Sequence, residues 1–167
     1  VPSEPAVAPR RTRRLTLRPI TSDHLDALVA LSIDPRVNLY RPGGPPTRAQ
    51  ATKIVREFIS HWERDGLGYW VVECDGQVVG IAGTRPIVLR RRPCWNLYYR
   101  FSPTVWGQGV AGEATREAVR AAREQGPERL VVARTRADNA PAIRLALALG
   151  LTRRPELDAD GFVTYAA

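Results

Sequence analysis

Residues 106–119 read WGQGVAGEATREAV, with Gly107, Gly109 and Gly112 at the spacing G-x-G-x-x-G. That spacing suits a turn receiving the pyrophosphate of a dinucleotide. The same glycines suit a loop wrapped around the pyrophosphate of coenzyme A. In both cases backbone N–H groups at a helix N-terminus face an anion, whose charge the helix dipole favours. The glycines therefore predict a phosphate site without choosing its ligand.

The elements around the loop make that choice. RLTLRPI (14–20) alternates like a half-buried strand, and Thr21 or Ser22 caps a helix carrying Leu25, Leu28, Val29 and Leu31. The Pro/Gly segment VNLYRPGGPPT cannot continue a helix, so a second one starts at Thr47. GYWVVEC, the turn Asp75-Gly76 and QVVGIAGTRPIVL form a predicted hairpin, and a basic RRRP tip leads into CWNLYYRF. The glycine loop then opens a helix over 109–125, followed by the strand ERLVVART. A short helix capped by Asn139 stops at Gly150, and a last hairpin turns at Asp160-Gly161. The predicted order is β-α-α-β-β-β-α-β-α-β-β, an α+β fold with a mostly antiparallel front half. A dinucleotide domain instead places its glycines directly after the first strand of a βαβ unit. Here the loop follows four predicted strands, and the next strand ends in Arg134 rather than the acid that a ribose needs; only a 2′-phosphate would suit that arginine.

Composition narrows the classes further. The 167 residues suffice for one domain with a core, and 44% are hydrophobic, so wholesale disorder is excluded. We expect a flexible segment at 1–12 and a single domain at 13–167. The net charge of +8 is almost all arginine, Lys53 being the only lysine. The arginines are scattered along the chain, so a solvated surface that attracts an anionic ligand explains them better than a nucleic-acid footprint. Cys74, Cys94, His24 and His61 have no metal-ligand spacing. No apolar run approaches a membrane span and no secretory segment is recognisable, which gives a cytoplasmic expectation and no membrane partner.

LYYRFSPTVWGQGVAGEA, together with Asn139 and a following helix ending LALGL, resembles the GNAT superfamily of acyl-CoA N-acyltransferases over about residues 15–165. It looks closest to the RimJ/RimL-like branch, which acetylates N-terminal amines of ribosomal proteins. The resemblance implies a mixed, mostly antiparallel sheet with a central splayed parallel strand pair flanked by helices. It implies acetyl-CoA as co-substrate, an amine acceptor (a protein N-terminus or a small molecule) and direct attack in a ternary complex; a homodimer is a further expectation. Strands 95–101 and 130–134 should be parallel neighbours that separate near Phe101. Backbone groups of Tyr99 and Phe101 would hold the pantetheine, with Arg100 between them in the cofactor site and an N–H near Phe101 polarising the thioester carbonyl. Trp106, Gly107, Gln108, Gly109, Val110, Ala111 and Gly112 would hold the pyrophosphate. Asn139 would bond the pantetheine or cap its helix.

Two positions depart from the branch. Asn96 stands where a Glu is often found, and Ala142 where a hydroxyl or thiol is often found. The remaining candidates for proton transfer are Tyr98, Tyr40 and Glu73, with Tyr98 favoured over Tyr99 as substrate-facing. Freeing an α-amine of pKa near 8 at neutral pH costs about 1.4 kcal/mol, against about 4–5 kcal/mol for lysine. The departures thus favour an α-amine acceptor. They also keep open a catalytically weak GNAT fold that only senses or sequesters acyl-CoA. A basic nucleic-acid-binding module is the third and weakest alternative.

Overall fold

The computed structural model describes residues 7–167. Twelve regular elements follow the predicted order with one strand added at the front: β1 (Arg10–Arg11), β2 (Leu15–Pro19), α1 (Leu25–Ile33), α2 (Arg48–Asp65), β3 (Tyr69–Cys74), β4 (Gln77–Leu89), β5 (Arg92–Phe101), α3 (Val110–Gln125), β6 (Leu130–Thr135), α4 (Ala140–Ala148), β7 (Thr152–Arg153) and β8 (Val163–Ala166). The strands form one sheet in the order β1-β2-β3-β4-β5-β6-β8-β7. Only β5 and β6 run parallel; every other neighbouring pair is antiparallel.

The ends of the elements follow from local chemistry. Thr47 Oγ1 accepts from the Gln50 N–H (3.2 Å) and Gln50 Oε1 accepts from the Thr47 N–H (2.9 Å), a reciprocal box that starts α2. Asp75 and Gly76 both sit at positive φ (49° and 75°), as a two-residue hairpin turn requires. Asp160 and Gly161 do the same, inside the Ala159–Phe162 bridge. The basic tip is tighter than its sequence suggests. Arg90 and Arg91 close it at φ 48° and 64°, and the Arg90 guanidinium holds the Asp158 carbonyl at 2.6 Å.

The helices cover both faces of the sheet. On one face α3 lays Val110, Ala114, Ala118 and Ala122 over Leu15, Trp70, Leu97 and Phe101. Its small side chains let the helix lie close to the strands. On the other face α1 and α2 pack Leu28, Val55 and Phe58 against Tyr69, Val71 and Ile81. Trp70 and Trp95 are therefore core residues, not pocket wall.

One departure concerns the segment expected to be flexible at 1–12. Its residues 1–6 lie outside the described part, but Arg10 and Arg11 pair with Leu17 and Thr16 of β2. Arg10 supplies the reason, bonding both Glu117 and Glu124 on α3. These are tertiary partners more than a hundred positions away, which local composition does not reveal.

Gly80 of β4 faces Phe101 across the β4–β5 ladder. A Cβ there would come within 2.4 Å of the Phe101 ring and 2.5 Å of the Arg100 carbonyl. Gly80→Ala should therefore cost about 1–3 kcal/mol of stability, as overpacking does, and displace Phe101. Urea unfolding checks it; an unchanged midpoint would mean that the ring has room to move.

Candidate active site

The parallel ladder between β5 and β6 stops early. It pairs Cys94 with Leu130 through Leu97 with Ala133, and goes no further. The strands separate from Tyr98 onward, earlier than the sequence reading placed the split. Beyond Ala133, β6 is drawn to β8, where Arg134 and Thr135 pair with Thr164 and Val163.

The β4 register shows which backbone groups this leaves open. The Ser102 N–H donates to the Val79 carbonyl at 2.8 Å, and the ladder from Gly80–Phe101 to Leu89–Arg92 has no break. Bonding direction alternates along an antiparallel strand. Tyr98, Arg100 and Ser102 therefore bond β4, whereas Tyr99 and Phe101 aim their N–H and C=O groups into the gap. The backbone of Arg100, between them, is thus engaged with β4, while its side chain lines the cavity. The Phe101 carbonyl accepts from Trp106 Nε1 at 3.0 Å. The Phe101 N–H and both Tyr99 groups remain for a ligand.

A cavity of about 900 Å³ occupies the split. It reaches both faces of the sheet. Tyr99, Phe101, Val110 and Leu145 bound it on the α3–α4 face, and Tyr40, Arg41, Tyr98 and Arg100 on the α1 side. Among the described residues no Asp or Glu lines it.

The glycine loop forms its rim. Gly107 and Gly109 lie at φ 73° and 76°, a left-handed backbone that side chains resist. Gly109 begins α3, and no side chain caps the first turn. The first N–H groups of the helix therefore have no capping side chain, an arrangement that can receive an anion. Glu113, in the same turn, is turned away from that position. Thr12 Oγ1 donates to it at 2.6 Å, and Arg14 donates from its N–H (2.9 Å) and from Nε (2.8 Å). Burial opposes ionisation of Glu113, but these bonds hold its pKa below the usual range. Arg14 also grips the Gln108 carbonyl at 2.9 Å and so ties the loop to the start of β2. Trp106, Gly107, Gly109, Val110 and Ala111 line the cavity; Gln108 and Gly112 sit behind it.

The structure divides the proton-transfer candidates. Tyr98 lines the cavity with its ring stacked on Tyr69 at 4.9 Å and tilted against Phe58 at 5.7 Å. Tyr40 lines the cavity from the segment after α1 and is 37% exposed. Burial pushes the Tyr99 hydroxyl up to about 12, so it stays a phenol that donates but does not act as a base. Glu73 is not brought to the cavity. It pairs with Thr16 on the far side of the sheet and is held by Arg18 Nε at 2.9 Å. Asn139 caps α4, its Oδ1 accepting from the Ala142 N–H at 3.2 Å, and also borders the cavity.

Sequence reasoning missed part of the wall. Of the 36–42 stretch it singled out only Tyr40, yet Arg36 and Arg41 also line the cavity. Arg134 carries a buried Nε with no partner, while its Nη2 bonds the Ala159 carbonyl and Asp160, both at 3.1 Å. The signal available for Arg134 was its place on β6 just after the last residue paired with β5; the two loop arginines carried none. No group of metal-ligating side chains occurs among the described residues, and no helix there is long and apolar enough to cross a membrane.

These features agree with known proteins. The model of the acetyltransferase (GNAT) domain matches residues 14–152. The chain is 30% identical over 149 residues to FsC-acetyl coenzyme A-N(2)-transacetylase of Aspergillus fumigatus, covering 84% of this chain and 63% of that protein. It thus spans under two thirds of that relative's length. An acetyltransferase of Agrobacterium tumefaciens superposes with a TM-score of 0.83 at 21% identity, over 97% of this chain and 95% of its own. An enzyme of Salmonella typhimurium that modifies the N-terminal serine of a 50S ribosomal subunit protein superposes at 0.74 with 18% identity, over 93% and 95%. At such identities the structures speak for the fold alone, and the family match carries the rest. The chain belongs to the GNAT acetyltransferase family.

Proposed function

We propose that the protein transfers the acetyl group of acetyl-CoA to a primary amine, an α-amine in preference to a lysine, by direct attack. The observation that carries this reading is the split after Leu97 and Ala133, which bares the Tyr99 and Phe101 backbone inside a cavity open to both faces. An extended pantetheine fits that slot as an added strand would. The uncapped start of α3 fits a pyrophosphate, and the buried, partnerless Nε of Arg134 fits an amide carbonyl of the arm. The names of the Aspergillus and Salmonella relatives, with coenzyme A in one and an N-terminal serine in the other, point the same way.

In this reading the amine enters from the α1 side as the neutral base. Its lone pair forms a C–N bond to the thioester carbon while the Phe101 N–H donates to the carbonyl oxygen, where negative charge develops. The C–S bond then breaks. A thiol with pKa about 8.5 leaves without a strong acid. The amine's surplus proton passes to water, with Tyr98 or Tyr40 positioned to orient that water. A second reading has one observation in its favour: the cavity wall offers no carboxylate base, as a protein that only binds acyl-CoA would allow.

Calorimetric titration separates the ligands. Coenzyme A should bind and NADPH should not; the reverse would sink the assignment. Gly109→Asp should weaken coenzyme A more than about tenfold. It forces a side chain into the left-handed region, at about 1–2 kcal/mol, and sets a negative charge where the phosphates belong. Unchanged affinity would place the phosphate site elsewhere.

Thiol release at varied pH tests the proton path. Without an enzyme base, kcat/KM should rise with the acceptor's own free pKa and shift when the acceptor is changed. Tyr99, at about 12, should add no inflection near neutrality. Tyr98→Phe and Tyr40→Phe should each lower kcat only a few-fold, about 1 kcal/mol or less, as the loss of one water-orienting hydrogen bond does. One fixed inflection shared by several acceptors would reveal an enzyme base, whereas no thiol release with any amine would leave the binding-only reading.

A further inference from the structure

Five arginines line the cavity, and they are not equivalent. Arg36 is held by Asp34 at 2.6 Å, Arg134 by Asp160 at 3.1 Å and Arg136 by Asp138 at 3.3 Å. Arg100 meets only the Ser32 carbonyl, at 3.3 Å. The Arg41 side chain has no bonded partner among the described residues, and neither of these two guanidiniums has a carboxylate. Arg100 is half-buried beside Tyr98 in the cavity wall, whereas Arg41 is exposed at its mouth. A partly desolvated cation with no counter-ion is costly, and an arginine fork matches a carboxylate or phosphate in two parallel bonds.

The cofactor's own phosphates do not account for this charge. They belong at the start of α3, on the opposite face of the sheet. The Arg100 side chain shares the face of Tyr98, which packs with the α1–α2 cluster, and Ser32 belongs to α1. Arg41 follows α1 on the same side. Arg100 also precedes Phe101, whose N–H marks the reacting carbonyl, so its guanidinium lies a few bonds' reach from the incoming amine.

We infer that the acceptor is an amine carrying a carboxylate or phosphate a few bonds from its nitrogen, and that Arg100 with Arg41 binds that anion on the α1 side of the cavity. This rests on the acetyl-transfer reading for its chemistry, but the anion site can be tested apart from it. Polycationic amines are disfavoured acceptors, because the cavity wall offers them no carboxylate.

The test uses four short peptide amides with a common N-terminal serine and Asp, phosphoserine, Asn or Lys at the second position. With acetyl-CoA and thiol detection, the Asp or the phosphoserine peptide should exceed the Asn peptide in kcat/KM by about tenfold, with Lys last. The better of the two acidic peptides identifies the anion. Added salt should shrink the ratio. Arg100→Gln and, separately, Arg41→Gln should bring the acidic-to-Asn ratio close to one, chiefly through KM, with coenzyme A affinity retained. Equal rates across the four peptides, an Arg100→Gln loss shared equally by all of them, or weakened coenzyme A binding in that variant would each overturn the inference. If no peptide releases thiol, calorimetry of the same peptides onto the coenzyme A-loaded protein decides. Acidic-selective binding that Arg100→Gln abolishes supports the anion site while counting against acetyl transfer to N-terminal serine, whereas binding without acidic preference sinks the anion site.

Discussion

Backbone amides in the middle of a sheet normally have a strand on each side. In β5 those of Tyr99 and Phe101 point away from β4 and find no strand, because the pairing with β6 ends at Leu97–Ala133. A buried amide without a partner costs about 1–3 kcal/mol, so a gap of this kind closes unless something holds it. Several contacts hold it. The Ser102 N–H is fixed to Val79, the Phe101 ring lies over the bare face of Gly80, and the Trp106 indole takes the Phe101 carbonyl. On the other side Arg134 is anchored to the final hairpin through Ala159 and Asp160. The split is therefore a property of the fold, and it leaves hydrogen-bonding capacity that an extended ligand can complete.

The gap also joins two faces with different chemistry. On one, α3 brings an uncapped N-terminus and a glycine rim, stiffened by Arg14 and Glu113. On the other, β5 and the segment after α1 bring Tyr98, Tyr40 and two guanidiniums, of Arg100 and Arg41, that have no carboxylate partner among the described residues. A phosphate-bearing thioester and an amine can thus approach the same carbonyl from opposite sides without competing for space. This separation assigns different work to neighbouring residues of β5. Tyr99 and Phe101 present backbone to the slot, while Tyr98 and Arg100 present side chains to the α1 side of the cavity.

Much of this was legible in the sequence. Period-two and helical patterns, together with Thr47, Asp75-Gly76, Asn139 and Asp160-Gly161, gave the order of the elements, because each signal is local. The glycine loop could be placed because positive φ at Gly107 and Gly109 is a demand on residue type. What escaped depends on distant partners. The short strand at Arg10–Arg11 exists because Glu117 and Glu124 lie across from it. Glu73 looked available only while Arg18, its neighbour on the adjoining strand, was unknown. The split begins after Leu97, where β6 keeps its pairing with β8 through Thr135 but leaves β5, and no feature of β5 records which edge of β6 stays paired.

The arginines and the missing base belong to one argument. An amine attacks only when neutral, and an enzyme without a carboxylate or imidazole in reach must obtain the neutral form in another way. Positive charge nearby disfavours the ammonium form, so guanidiniums in a poorly screened cavity lower the pKa of a bound amine. The lowering needed is small for an α-amine and large for a lysine, about 1 unit against more than 3 to reach neutrality. The charge that repels the ammonium would also repel the acceptor as a whole, unless the acceptor brings an anion of its own. If the acceptor is acidic, as inferred above, its carboxylate or phosphate would offset that repulsion at Arg100, at the cost of part of the pKa lowering, and its amine would then lose its proton to water before attack at the thioester.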